Sequence, residues 1–531
     1  MNIFSRIWPF GQKNSSPWKA AAASERSPLS TGRYVAHASR DAGARRDPIA
    51  GWTGPLASSP AQAEAERKLG QRRSADLAAN DWAAASALSA IIYNVIGSGL
   101  LPDAAIPARE LGLTREQARE AGSRFEWLFS RWARRCDATG QLSFADLQAL
   151  GLRSILSQGE MLHLAVARKD NSDFALAIQA IRPQRLQTPA ELRPEPDIRD
   201  GIRLDASGRP LSYWIANPGP SIGDSYSGLE SLTISDFSEI PYSRNGRRLV
   251  FHLFRREEEE QTRGFSAFSP GIALFRNLSD ALNNELLTQV TASNFSVFIE
   301  REDGIAPHIG QDHQEEGTDF QELNGARVYY GAKNEKPQII ESNRPSANFA
   351  SFVEIILRAM AASQGIPYET LAKDYSKTNY SSMRAALNEA WMLYNYLRQW
   401  FAANYCQPIW EMVLEDAIQA GLIELPKNAP PFQQARDLWC NADWYGPARG
   451  FVDPVKETQA TALAMQSGLM TLGEALTERG HDMDEMLQKL SEEREALEPL
   501  GLWYGAAPKV RIASGPENED QEEEDAAGSG R

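Results

Sequence analysis

An α+β fold, mixed in its N-terminal half and helical in its C-terminal half, is what the sequence predicts. Three observations carry that expectation. Helix-opening patterns stand before amphipathic stretches at Thr114-Arg-Glu-Gln117, Ser143-Phe-Ala-Asp146 and Thr471-Leu-Gly-Glu474, where a side-chain oxygen satisfies backbone donors that the first helical turn leaves unpaired. Between Glu160 and about Arg255 the texture changes to short apolar or alternating runs bounded by turn residues, which is the pattern of strands. From Phe349 onward, apolar residues recur at helical spacing almost to Leu497.

Taken in order, residues 1–60 are rich in Ser, Ala, Pro, Gly and Arg and read as a mobile arm. Helical periodicity runs with breaks from Ala61 to Ile96, where Gly97, Gly99 and Pro102 end it. A second helix follows Thr114, carries Phe125, Trp127, Leu128 and Trp132, and stops near Cys136. A third runs from Ser143 to about Leu156. The runs MLHLAVARK, FALAIQAI, IRLDASGRPLSYWIA and RLVFHLF are read as strands, with DASG as a hairpin connection. RREEEEQTRG, 255–264, is read as a solvated loop. Pro270 to Asn294 is a helix, and SVFIE and ARVYY are short strands around an irregular polar stretch, Asp303 to Gly325. Phe349, Phe352, Val353, Ile356 and Met360 share one face of a helix that Gly365 caps and Pro367 prevents from continuing. Met383, Ala386, Leu387, Ala390, Tyr394, Leu397 and Phe401 mark another, running toward Pro408, and a last helical block begins at Pro454.

The chain has 531 residues and a formal charge of -15, with seven carboxylates between Glu517 and Asp525. An acidic body argues against tight, non-specific wrapping of DNA, which requires Lys and Arg to release counterions. It leaves room for a surface past which DNA moves without sticking. Three separated cysteines, Cys136, Cys406 and Cys440, offer neither a disulfide framework nor a zinc cluster. No signal-peptide pattern opens the chain, and no apolar run reaches membrane-spanning length. A cytosolic chain in a reducing compartment is expected.

Short chemical patterns are weak. Gly219-Pro-Ser-Ile-Gly223 matches G-x-S-x-G, with Ser221 as a nucleophile, but Pro220 constrains the turn and DSYSGLESL is a poor helix start. His308, Asp312, His313, Glu315 and Glu316 have metal-ligand types without a metal-ligand spacing, so a solvated polar loop explains them. Gly97-Ser-Gly99 follows a helix and leads into no helix, which rules out a dinucleotide fingerprint, and no P-loop is present. Trp391, Trp400, Trp410, Trp439 and Trp444 lie at helical spacings that favour core or subunit contacts over base stacking. No cofactor, metal or catalytic residue is assigned, and a non-enzymatic architectural protein is expected.

One stretch resists that plain reading. Asp374 to Ser382, DYSKTNYSS, is polar and rich in hydroxyls, between two regular helical patterns. The run around it, RPSANFASFVEIILRAMAASQGIPYETLAKDYSKTNYSSMRAALNEAW from Arg344, resembles the portal proteins of lambda-type tailed bacteriophages. The resemblance is carried by the Gly365-Ile-Pro-Tyr368 break, the Asp374 to Ser382 loop and the Arg384-Ala-Ala-Leu helix. Trp400-Phe…Tyr405-Cys-Gln-Pro408 and Gly450-Phe-Val-Asp-Pro454 with Lys456-Glu457 add to it, as does the block from Phe125 to Glu160. It covers roughly residues 60–500 and is weakest at Asn217 to Glu239 and Asp303 to Gly325.

What the resemblance implies is a portal fold with a mixed α/β wing, a helical stem, a small α/β clip and a helical crown. The expected divisions are the arm to 60, wing 61–265, stem helix 266–295 and clip 296–345. A second stem helix at 346–366, a tunnel loop at 367–381 and the wing helix with its following segment at 382–453 come next. A crown at 454–505 and a disordered acidic tail at 506–531 complete the chain. Twelve copies would form a ring at one capsid vertex of the virion, assembled in the host bacterial cytoplasm. Double-stranded DNA would pass through without sequence reading. The partners implied are the terminase large subunit, which holds the ATPase and nuclease, the major capsid and scaffold proteins, and head-completion or adaptor proteins. Lys373, Tyr375, Lys377, Asn379 and Tyr380 would face DNA, with Lys373 and Lys377 the only cations nearby. Two other readings remain: a serine hydrolase using Ser221, and a non-portal structural head protein.

Overall fold

The computed structural model describes residues 60–167, 174–218, 233–293, 297–299, 319–323, 326–330, 348–448, 454–479 and 483–498. Two helices open it, α1 (Pro60–Asn80) and α2 (Trp82–Val95). They are separated by Asp81, whose carboxylate accepts from the backbone N–H of Ala84 at 2.8 Å as an N-cap acceptor should. Strand β1 (Leu101–Ala104) and helices α3 (Arg115–Ala133) and α4 (Phe144–Gln158) follow. Both of these helices start with the reciprocal bonds that the sequence predicts, Thr114 with Gln117 and Ser143 with Asp146.

Gly159, at φ 90°, ends α4 and turns the chain directly into β2 (Glu160–Ala167). This strand is the centre of an antiparallel sheet, flanked by β3 (Leu176–Ile181) and β10 (Val250–Phe254). A second antiparallel sheet runs β4 (Ile198–Arg199), β5 (Ile202–Leu204), β6 (Pro210–Ala216) and β7 (Phe237–Pro241), and DASG does connect β5 to β6. Strands β8 (Ser243–Arg244) and β9 (Arg247–Arg248) form a hairpin. After α5 (Ile272–Ser293), a three-stranded sheet has the order β11 (Val297–Ile299), β13 (Ala326–Tyr330), β12 (Asp319–Leu323). Strand β12 corrects the expectation of irregular chain at 319–323, because its DFQEL pairs antiparallel with ARVYY; residues 303–318 and 324–325 lie outside the described residues.

The C-terminal half contains α6 (Phe349–Gln364), α7 (Tyr368–Ala372), α8 (Tyr380–Phe401), α9 (Gln407–Gln419), α10 (Arg436–Trp439), β14 (Ala442–Tyr445), α11 (Pro454–Gln466), α12 (Leu472–Thr477) and α13 (Met483–Leu497). Strand β14 pairs with β1, joining residues some 340 positions apart. The helical pattern expected to run toward Pro408 continues past it. A π-turn over Ala402–Cys406 links α8 to α9. Pro408 has no N–H for the carbonyl of Asn404, and Arg248 Nη1 donates to that carbonyl at 3.3 Å.

One large core joins α1–α4, the central sheet and α6, α8 and α9. Trp132, Trp410, Trp439, Tyr405, Phe125, Phe129 and Phe401 are fully buried in it. The three fully buried indoles of this core each find a carbonyl, Leu176 for Trp132, Cys440 for Trp410 and Pro430 for Trp439, which satisfies their N–H groups. Trp391, Trp400 and Trp444 pack against this core in part, so these tryptophans are core residues as expected. Trp127, like Trp82, is half-exposed, and Arg124 and Arg131 lie over its ring at 4.6 and 4.9 Å.

The solvated loop 255–264 needs a second correction. Glu257 to Glu260 do face water, but Arg263 is 3% exposed. Its Nε donates to Glu160 at 2.6 Å and its Nη1 to the backbone oxygen of Asp200 at 2.8 Å. Glu160 also meets His252 Nε2 and Gln71 Nε2, both at 2.9 Å. Asp200 takes Arg67 Nε at 2.8 Å and Nη2 at 2.7 Å. This buried network fastens α1 to both sheets.

Candidate functional site

The polar loop lies where helix α6 hands over to α8. Gly365 adopts φ 68° and caps α6, its N–H reaching the carbonyls of Ala361 and Ala362. Only glycine adopts this conformation without strain. Ile366 is buried, and Pro367 starts the short helix α7. That helix is pinned to the body at Leu371, which is fully buried and whose carbonyl accepts from Ser86 Oγ at 2.7 Å.

Beyond α7 the chain surfaces. Lys373 takes a left-handed φ of 56° and is exposed. Asp374 turns the chain by accepting from the backbone N–H and hydroxyl of Ser376 at 3.0 and 2.6 Å, a local side-chain turn. The hydroxyl of Ser376, then its N–H, holds the Asp374 carboxyl below its ordinary range. Thr378 Oγ1 donates to Glu369 at 3.2 Å. Asn379 caps α8, its side chain accepting from Ser382 N–H at 2.8 Å.

Lys377 is the informative side chain. Its Nζ donates to Glu354 Oε2 at 2.9 Å, and Arg358 Nη2 donates to the other oxygen of the same carboxylate at 2.7 Å. The hydrogen bond from Lys377 depresses the Glu354 carboxyl, and the same bond raises the Lys377 ammonium. Arg358 therefore joins Lys373 and Lys377, correcting the expectation of two cations only. Its guanidinium also lies 5.4 Å from the centre of the Tyr368 ring.

Of the five residues assigned to this loop, Lys373, Tyr375 and Lys377 are exposed together on one short segment, Tyr375 by 51%. Asn379 is exposed but already serves its own helix. The side chain of Tyr380 lies outside the described residues. Glu354 and Arg358 escaped the sequence reading, although their i,i+4 spacing is a helix-surface ion-pair signal.

The helix behind the loop also differs from expectation. Val353 and Ile356 are half-buried and Met360 is buried, but Phe352 is 52% exposed and shares an outward face with Ile355. Helix α6 thus carries two apolar stripes, one against the core and one uncovered. Helix α5 contacts α6, and Gln364 Nε2 at the end of α6 donates to the carbonyl of Ala267, just before α5, at 3.1 Å. Helix α5 too exposes Leu286, Leu287 and Val290.

Other candidate chemistry is thin. Ser221 and the His308 to Glu316 cluster lie outside the described residues. Among the described residues no group of three or more His, Cys, Asp or Glu is placed to hold a metal ion, and no helix is long and apolar enough to cross a membrane. Cys136, Cys406 and Cys440 are buried free thiols.

A family described as phage portal protein, lambda family, matches residues 45–398. The portal protein of Escherichia phage N15 is 25% identical over 505 residues, spanning 90% of this chain and 94% of that one. Portal protein B of Escherichia phage lambda is 25% identical over 498 residues, spanning 89% and 92%. Among solved structures, the neck of a native GTA particle computed with C12 symmetry is similar over 77% of this chain and 92% of its own, at 13% identity and a TM-score of 0.35. The virion of a native gene transfer agent particle gives 78%, 93%, 13% and 0.36.

Proposed function

The chain belongs to the lambda family of phage portal proteins, and from that premise we propose that it forms a ring at one vertex of the phage head. Double-stranded DNA passes through the ring during packaging and ejection, and the terminase docks on it. The observation that carries this reading is the extent of the family match, whose range takes in α5, α6, the polar loop and most of α8.

The physical arrangement supports it. Subunits that close head-to-tail into a ring need two different complementary faces. The exposed apolar residues on α5 and α6, Leu286, Leu287 and Val290 on one and Phe352 and Ile355 on the other, are of the kind that marks a protein contact. In this reading α5 and α6 are the paired stem helices, β11 to β13 belong to the clip, and the loop at 367–381 faces the channel. The net charge of -15 keeps a polyanionic duplex from adhering to the walls, an effect that salt softens. The role is guidance and docking; the chemical work of packaging belongs to the terminase.

Negative-stain imaging of the purified protein tests the reading. Rings with a central hole are expected for the wild type, and Ile355→Glu should yield folded protein that no longer closes into rings. A solid particle, or a monomer under every condition, would overturn it.

A further inference from the structure

The loop's second lysine does not wait free for DNA: it is already bonded to an anion of its own chain. Glu354 on α6 offers one oxygen to Lys377 and the other to Arg358. The lysine side chain is 72% exposed and the arginine 59%, whereas the carboxylate between them is 20% exposed. Lys373, four residues earlier, is exposed and makes no ion pair among the described residues.

We propose that Glu354 is a positioning residue that stands in for a DNA phosphate, holding Lys377 against α6 until a passing phosphate takes its place. The proposal rests on the reading that the loop at 367–381 faces the channel. An exposed pair of this kind is held weakly and is screened by salt. Lysine is a compact point charge on a flexible stem, so it exchanges one oxyanion for another without a strict geometry. A duplex presents one phosphate charge about every 1.7 Å of its axis, so a replacement anion is always near.

The exchange leaves no carboxylate stranded. When Lys377 swings away, Arg358 remains on Glu354 one helical turn along, so neither state contains an unpaired buried charge. The contact therefore forms and breaks at similar free energy, which is what a surface needs if DNA is to slide and not stick. A permanently free Lys377 would hold the duplex, and one locked to a buried acid would never reach it.

The assembled full-length ring carries the test, in two readouts. Without DNA, hydrogen exchange of the amides at 374–379 should quicken in Glu354→Gln and in Lys377→Ala by no more than about fivefold. The double variant should be no faster than either single one. With a short double-stranded DNA as probe, Glu354→Gln should increase duplex retention at low salt and steepen its loss as salt rises. Lys377→Ala in the same background should abolish that gain, and Glu354→Asp should restore wild-type behaviour. Lys373→Ala should lower retention whether or not Glu354 is present. Unchanged exchange in all variants would overturn the proposal, as would altered exchange with retention indifferent to Glu354. Failure of the portal reading itself looks different: no ring, or no duplex retained by any form including wild type.

Discussion

Glu160 and Glu354 both accept hydrogen bonds from basic side chains, yet Glu160 is fully buried while Glu354 is one-fifth exposed between two exposed partners. Glu160 is wholly enclosed and meets Arg263, His252 and Gln71, while Arg263 spends its remaining donors on the carbonyls of Leu186 and Asp200. Glu354 lies at the surface with Lys377 and Arg358, whose outer ends are open to water. Enclosure makes the first group a fixed joint, because removing any partner strands a charge away from solvent. Exposure makes the second exchangeable, because water and ions stand ready to replace whatever leaves. On the proposed portal reading, a ring that must stay closed while DNA moves through it needs both kinds, and the chain separates them between its body and its loop.

The comparison breaks most sharply at Glu160. Glu160→Gln leaves the buried Arg263 with only the more distant carboxylate of Asp200, at 3.3 Å, as counter-charge and should destabilise the subunit by about 3–5 kcal/mol, read as a lowered denaturant midpoint. Little change would mean that water reaches the network and that it is not a fixed joint.

A smaller loss is expected where the backbone closes over that joint. A Cβ added at Gly264 would sit 2.0 Å from the carbonyl oxygen of Gly159, and one added at Gly159 would meet the carbonyl of Gly264 at 2.6 Å. Gly264→Ala should therefore cost about 1–3 kcal/mol, as overpacking does. It should also shift the Arg263 side chain off Glu160, since the two residues adjoin the two glycines. An alanine accepted without loss would show that this approach is looser than the network it supports.

Acid sharpens the contrast further. Burial drives the His163 imidazole down to about 3 and lowers that of His252, which Glu160 partly opposes. These groups are neutral when folded and charge near pH ~6.5 when unfolded. Their stability contribution is present above about 6.5 and is lost as pH falls from there toward the folded values. Burial alone would raise the Glu160 carboxyl, but Arg263, His252 and Arg67 hold it well below 4.5, so its contribution begins to fail only below that value. Each proton taken up on unfolding gives a slope of about 1.4 kcal/mol per pH unit. Denaturant midpoints between pH 6.5 and 5 should fall accordingly, and His163→Asn should flatten the slope. A slope unchanged by that variant would place the proton uptake elsewhere.

What the sequence revealed about these two regions follows from distance along the chain. The caps at Thr114, Ser143 and Thr471, the Gly365 stop and the DASG hairpin each depend on residues within one turn, and all formed as read. The pairing of β1 with β14 and the meeting of Arg67, Glu160, Asp200 and Arg263 depend on how distant elements pack, and no local pattern announces them. Arg263 was hidden further by the run of exposed glutamates before it. At the loop, polarity and the Asp374 turn were legible. The partner of Lys377 was not, because only the reversal at Gly365 and Pro367 returns the loop alongside Glu354.

The smallest effect belongs to that loop. Lys377→Ala, Glu354→Gln and their combination should leave the global denaturant midpoint within error of wild type, since an exposed pair exchanges its bonds for water at little loss. A helix whose Glu354 still faces Arg358 one turn on loses even less. Near 1 M salt, where charges more than about 3 Å apart are screened, wild type and variants should converge in loop exchange as well. The buried joint is shielded from those ions, so the deficit of Glu160→Gln should persist in the same salt. If Glu354→Gln instead lowered the midpoint as far as Glu160→Gln does, the surface carboxylate would be a second fixed joint, and the division of labour between body and loop would not hold.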